Sequence, residues 1–145
     1  MDDLPVRPGD VLAGKYVVER VLGAGGMGVV LAAHQLGLDR TVALKLMLPG
    51  RLTGPEALAR FLREARATAR LRSHHVARVF DAGTAEGGAP YIAFELLDGI
   101  DLAALIKQRG PLPIDEAVEY VLQACEGLAE AHASGLVHRD VKPSN

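Results

Sequence analysis

The sequence predicts an α+β protein in which a five-stranded antiparallel sheet with one helix is followed by the first helices of a helical region. Three observations lead there. Short runs rich in Val and Leu, parted by Gly-bearing turns, fill residues 16–47. An amphipathic stretch of helical period breaks the strand pattern at about residues 54–72. Beyond Leu97 helical periodicity replaces the strand signal.

In chain order, residues 1–14 are rich in Pro, Gly and Asp and form an extended lead-in. Strands are expected at Tyr16–Leu22, Val29–Ala33 and Thr41–Met47, as a meander. Thr53 with Glu56 makes a capping box, Pro55 suits a first helical turn, and Leu58, Phe61, Leu62, Ala65, Ala69 and Leu71 recur at helical spacing. Strands at Val76–Ala82 and Tyr91–Leu96, joined by a flexible turn over Gly83–Pro90, complete the sheet. Asp101 can cap a short helix from Leu102 to Gln108, which Gly110-Pro111 ends. A longer helix spans Ile114–Ser134, with Val118, Val121, Leu122, Cys125, Leu128 and Ala129 on its apolar face and Gly135 suited to the left-handed position after it. The expected units are residues 1–14, 15–97 and 98–145.

A chain of 145 residues, 49% hydrophobic and 23% charged, can bury a core and is ordinary for a globular protein. The net charge of −2 gives no reason to expect nucleic acid or an anionic membrane as partner. Cys125, the single cysteine, has no internal partner, and the natural setting is a reducing, cytoplasmic one. No apolar run reaches membrane-spanning length before a charge interrupts it, and the Met1-Asp2-Asp3-Leu4-Pro5 start is not that of a signal peptide.

Gly23-Ala24-Gly25-Gly26-Met27-Gly28-Val29-Val30 matches G-x-G-x-x-G-x-V. Such glycines let main-chain N–H groups approach phosphate oxygens with no side chain in the way. A Gly-rich hairpin turn would look the same. A dinucleotide fingerprint needs a helix after the glycines, whereas Val29-Val30-Leu31 continues as strand, and no G-K-[ST] supports a P-loop. In Val42-Ala43-Leu44-Lys45 the Lys is either a solvated edge charge or a partly buried ammonium that needs a carboxylate. Between Arg51 and Phe80 there are two, Glu56 in the capping box and Glu64 in mid-helix. Glu64 could equally pair with Arg60 on the helix surface. Arg60, Arg63, Arg66 and Arg70 form a stripe, either a solvated face or a dock for an acidic or phosphorylated segment. Nucleic acid is not expected there, because stacking aromatics are missing and aromatics are 4% of the chain. His34, His74, His75 and His132 lack metal-ligand spacing.

The run His138-Arg139-Asp140-Val141-Lys142-Pro143-Ser144-Asn145 fixes five residue types within eight positions. Asp140 can accept the proton of an attacking hydroxyl, Lys142 can neutralise phosphoryl charge, and Asn145 can offer an uncharged oxygen to magnesium. Together with the glycine loop, the strand Lys and the helix Glu, this order and spacing resembles the eukaryotic-like (Hanks-type) serine/threonine protein kinases, and Gly-Ala-Gly-Gly-Met-Gly looks most like their bacterial branch. The resemblance covers residues 16–145 and implies a kinase-like fold, with the N-lobe at 15–97 and the start of the C-lobe at 98–145. It implies ATP and Mg2+ as cofactors and Ser/Thr of a protein as phosphoryl acceptor. Lys142 resembles the serine/threonine signature.

By the same resemblance Lys45 pairs with Glu64, and His138 packs and hydrogen-bonds rather than acting as base. Phe94 falls at the gatekeeper position, and adenine bonds the backbone at Glu95 and Leu97 between Leu22, Val30 and Ala43. Asp101 stands at the ribose position, which its capping role explains equally well. The family's D-F-G, activation loop and A-P-E do not occur within these residues. The chain alone is therefore expected to bind nucleotide weakly and be inactive, with transfer performed by the parent domain. In relatives later helices cover Val121, Leu122, Cys125 and Leu128, so self-association through this apolar surface is expected. The alternative is a non-catalytic nucleotide-binding or regulatory module, although Lys45, Glu64, Asp140 and Asn145, which decay in pseudokinases, are intact.

Overall fold

The computed structural model describes residues 6–25, 28–48 and 55–145. The chain divides into two units, one of Met1–Ala69 with Arg78–Leu96 and a second of Arg70–Ala77 with Leu97–Asn145. Thr53 of the expected capping box, and Gly26 and Met27 of the glycine loop, lie outside the described residues.

The first unit is built on an antiparallel sheet of β1 (Val11–Leu12), β2 (Tyr16–Gly25), β3 (Gly28–Gln35), β4 (Arg40–Met47), β5 (Val79–Thr84) and β6 (Pro90–Glu95), in the order β1-β2-β3-β4-β6-β5. The expected five-stranded sheet with one helix is corrected: six strands form the sheet, and the described chain carries three α-helices. The added strand is β1, two residues pairing Val11 with Val17 and Leu12 with Tyr16. It is too short to show alternation, and it forms because the left-handed Ala13 (φ 51°) and Gly14 (φ 64°) fold the lead-in back onto β2.

Alternation along the central strands decides what faces the core. Val29, Leu31 and Ala33 of β3, Val42, Leu44 and Leu46 of β4, and Tyr91 and Ala93 of β6 are buried on one face with Tyr16 and Val18. The sheet curls over this core. Asp81 on β5 thereby reaches the start of β2, where its Oδ2 accepts from Lys15 Nζ (2.6 Å) and Tyr16 OH (2.8 Å), and it also accepts from Tyr91 OH of β6 (3.0 Å). The alternate residues, Val30, Ala43, Lys45, Ile92 and Phe94, occupy the opposite face.

Helix α1 (Pro55–Thr68) stops short of the expected residue 72, its last bond running from the Ala69 N–H to the Ala65 carbonyl. The expected strand start at Val76 moves to Val79. Both shifts come from residues 70–77, which belong to the second unit and bond there instead. The expected flexible turn holds a 3₁₀ turn at Glu86–Gly88, where the Glu86 carboxylate accepts from the Ala13 N–H at 2.8 Å.

In the second unit, α2 (Leu102–Arg109) is capped by Asp101, whose Oδ1 accepts from the Ala104 N–H at 2.8 Å, and ends at Gly110 (φ 79°). Helix α3 (Ile114–Ala133) ends in a Schellman motif: Gly135 (φ 75°) donates to His132 O, and Leu136 donates to Ala131 O. Arg109 and Glu116 join the two helices by a bidentate pair at 2.6 and 2.8 Å. Val118, Val121 and Leu122 of α3 stay 50–61% exposed. No helix among the described residues is long and apolar enough to cross a membrane.

Candidate active site

In the first unit, the candidate phosphate-binding glycines sit in the β2–β3 hairpin, with Ala24 opposite Val29 and Gly25 opposite Gly28. The chain does continue as a strand after them. At Gly23 and Gly25 an added Cβ would meet nothing within 4 Å, so this backbone presents an open face that could receive a phosphate. At Gly28 the close approach of the Leu46 carbonyl excludes a Cβ. Register shifts between Val18 and Arg20 and between Val21 and Gly23 bend β2, leaving Leu22 38% exposed beside the glycines.

Lys45 lies opposite Val30 on one side and Ile92 on the other, and Ala43 lies opposite Phe94. These candidates share a face because they are an even number of residues apart, or directly paired, in neighbouring strands. Lys45, Glu64 and Phe94 line one cavity of about 380 Å3 with Arg60, Phe61 and Ile92. Its helical wall comes from the turn spacing of Phe61, Glu64, Ala65 and Thr68 on α1. The structure thus brings Lys45 and Glu64 to one cavity, but no ion pair within 4.0 Å joins them. Arg60, Arg63 and Arg66 of the stripe are all exposed, and Arg60 also lines this cavity. Ile92 and Arg60 escaped sequence reasoning; strand alternation from Lys45 and helical spacing from Glu64 were the available signals.

Glu95 closes β6, and its N–H donates to Arg78 O at 2.8 Å, which commits the amide and leaves the carbonyl as the group able to accept from a ligand.

In the second unit, Leu97 is 66% exposed, and Asp101 uses one carboxylate oxygen in capping α2. The Ala103 N–H, in the same first turn, donates to Pro143 O at 3.0 Å. That bond ties α2 to the loop that carries Asp140.

Around Asp140 the geometry is compact. Lys142 Nζ donates to Asp140 Oδ2 at 2.7 Å, and Asn145 Nδ2 donates to Asp140 O at 2.6 Å and to Oδ2 at 3.2 Å. These bonds, from Lys142 first and Asn145 second, hold the carboxyl below its ordinary range, so it stands as carboxylate at neutral pH. Arg139 adopts φ 64°, and the Asp140 N–H donates to His138 Nδ1 at 3.3 Å, an accepting role that suits a loop-shaping His. The amide of Asn145 spends its donors on Asp140, which leaves its Oδ1 as the neutral oxygen that suits a hard cation beside a carboxylate. The donor set therefore fits magnesium. Among the described residues no cluster of three or more His, Cys, Asp or Glu could hold a metal independently.

The comparisons with known proteins bear on the family and the fold. The family described as "Protein kinase domain" matches residues 16–145. The chain is 42% identical over 137 residues to serine/threonine-protein kinase pkn3 of Myxococcus xanthus, covering 94% of this chain and 25% of that protein. It is 39% identical to serine/threonine-protein kinase PknB of Mycobacterium leprae, covering 92% of this chain and 22% of that protein. A crystal structure of the Mycobacterium tuberculosis PknI kinase domain superposes with a TM-score of 0.85 at 36% identity, over 98% of this chain and 58% of that one. The chain thus spans about a quarter of the length of these curated relatives. A matching family over nearly the whole sequence, and a matching fold over nearly the whole chain, place this protein in the protein kinase family, within its bacterial Hanks-type serine/threonine branch.

Proposed function

We propose that the protein of which these residues form part transfers a phosphoryl group from ATP to Ser or Thr of a protein substrate. The observation that carries this reading is the Asp140 carboxylate, kept ionised by Lys142 and Asn145 at 2.7 and 3.2 Å. In this reading Asp140 orients the substrate hydroxyl and receives its proton, and Lys142 offsets charge on the phosphoryl group. Asn145 Oδ1 is assigned as a magnesium ligand, and the bound ion would neutralise charge on the phosphates.

The glycine backbone and Lys45 are assigned to the phosphates. Glu64 is assigned to orient Lys45 once the two side chains close within the cavity that they share. The Glu95 carbonyl and Leu97 are assigned to adenine, with Leu22, Val30, Ala43 and Phe94 as its apolar surround and Asp101 at the ribose. The names of the relatives support serine and threonine as acceptors.

The test is a radiolabelled ATP assay on the full-length protein and its Asp140→Asn variant with a generic basic protein as acceptor. General base catalysis is worth about 10²–10⁴-fold, and a fall of that order is expected in the variant. Nucleotide binding without transfer in the unmodified protein would instead identify a non-catalytic regulatory module.

A further inference from the structure

We infer that the first turn of α2 is a positioning element for the proposed transfer: its Ala103 N–H holds the turn Lys142–Asn145, and with it the setting of the Asp140 carboxylate. This rests on the reading of Asp140, Lys142 and Asn145 given above, and every residue in it belongs to the second unit. All of residues 137–145 are exposed, so hydrogen bonds rather than burial shape this loop. The Asn145 N–H donates to Lys142 O at 3.0 Å, which closes a four-residue turn with Pro143 and Ser144 at its centre. Proline suits the first central position of such a turn. Both ends of the turn reach one carboxylate oxygen, Lys142 Nζ donating to Asp140 Oδ2 at 2.7 Å and Asn145 Nδ2 to the same atom at 3.2 Å. A shift of the turn therefore moves both partners of Asp140 at once. The Ala103 N–H, donating to Pro143 O at 3.0 Å, fastens the centre of this turn to a helix.

The helix end that holds the turn is itself fixed. A helix leaves its first N–H groups without partners of its own. In α2, Asp101 Oδ1 accepts from the Ala104 N–H at 2.8 Å, Asp101 O accepts from the Leu105 N–H at 3.0 Å, and Pro143 O accepts from the Ala103 N–H just before them. The Leu102 N–H has no acceptor among the described residues. None of the eight residues of α2 is buried, so polar ties at its two ends weigh heavily in its placement: the Pro143 bond at one, the Arg109–Glu116 pair at the other. Ala103 itself touches no reacting group in this reading.

The experiment compares the full-length protein with Ala103→Pro and Leu102→Pro, with far-UV circular dichroism and thermal melting as checks on folding. Proline fits the backbone of a first helical turn and removes one N–H. Ala103→Pro thus deletes the donor to Pro143, whereas Leu102→Pro deletes the N–H that has no acceptor and keeps the Ala103 one. A lactic acid residue in place of Ala103, which exchanges the N–H for an ester oxygen, repeats the deletion without a proline ring. Amide exchange is read without nucleotide, and kcat and KM for ATP by steady-state transfer. In the unmodified protein the Ala103 amide should exchange about tenfold more slowly than that of Leu102, and the Asn145 amide should exchange about tenfold faster once the Ala103 donor is lost. The kcat should then fall by about tenfold while KM stays within about twofold, because a small misplacement costs rate before affinity. Leu102→Pro should keep kcat within about twofold. An Ala103 amide exchanging as fast as that of Leu102 would overturn the tie. A lower melting temperature with unchanged kcat, a change in KM alone, or an equal fall of kcat in both proline variants would overturn the positioning role. Absence of transfer in the unmodified protein would overturn the kinase reading and the positioning role with it, while exchange would still decide the tie.

Discussion

Replacing Asp81 should destabilise the sheet unit more than any single exposed carboxylate could, and a second mutation should partly repair the damage. Asp81 Oδ2 accepts from Lys15, Tyr16 and Tyr91 within 3.0 Å, and Oδ1 accepts from the Ala82 N–H at 2.9 Å. Lys15 is 44% exposed in its side chain and regains water, so its share is at most about 1 kcal/mol. The tyrosines cannot do the same, because Tyr16 is 0% and Tyr91 2% exposed. Each orphaned buried hydroxyl costs about 1–3 kcal/mol. Asp81→Ala should therefore lose about 3–4 kcal/mol, a large part of the roughly 5–15 kcal/mol that holds a typical domain folded.

Removing the Tyr91 hydroxyl as well leaves one orphan fewer, so Asp81→Ala/Tyr91→Phe should be more stable than Asp81→Ala by about 1 kcal/mol. The assay is urea unfolding of wild type, both single variants and the double variant. Loss of less than about 0.5 kcal/mol in Asp81→Ala would refute the reasoning, as would a double variant less stable than the single one. The pH dependence has a definite sign. Burial raises the Asp81 pKa, but hydrogen bonds from Lys15, Tyr16 and Tyr91 outweigh it and hold the folded value below the ordinary 3.8. The contribution is complete above the unfolded value and is lost as pH falls through the folded one. The gap between wild type and Asp81→Ala should thus narrow only below about pH 4.

Two further outcomes are expected. Lys45→Ala should weaken binding of a fluorescent ATP analogue by about tenfold or more, the loss of a charge-assisted contact to phosphate, and equal titration curves would remove Lys45 from the phosphate site. Since Val121 and Leu122 are 61% and 53% exposed, the 145-residue chain should bind a hydrophobic dye and self-associate, and Val121→Glu with Leu122→Glu should reduce both. A dye-free monomer would show that this face is covered in solution.

Period and punctuation made much of this protein legible in its sequence. The alternation in Val42-Ala43-Leu44-Lys45 already separates core from site face, because successive strand side chains point to opposite sides. Asp101, Gly110 and Gly135 mark helix ends through chemistry confined to one turn, and Asp140, Lys142 and Asn145 sit so near in sequence that one loop brings them together. What escaped involves partners far apart in the chain. The strand β1 depends on a turn folding the lead-in onto β2 rather than on any pattern of its own two residues. The Arg72 N–H finds its acceptor in a carboxylate 58 positions later, and the Tyr16 hydroxyl in one 65 positions later. The distance between Lys45 and Glu64 is likewise set by how α1 packs on the sheet: local sequence brings each to its element, and only tertiary packing decides whether the two charges meet. Short-range preferences act through a few bonds and are written in neighbouring letters, whereas these contacts exist only once the intervening chain has folded.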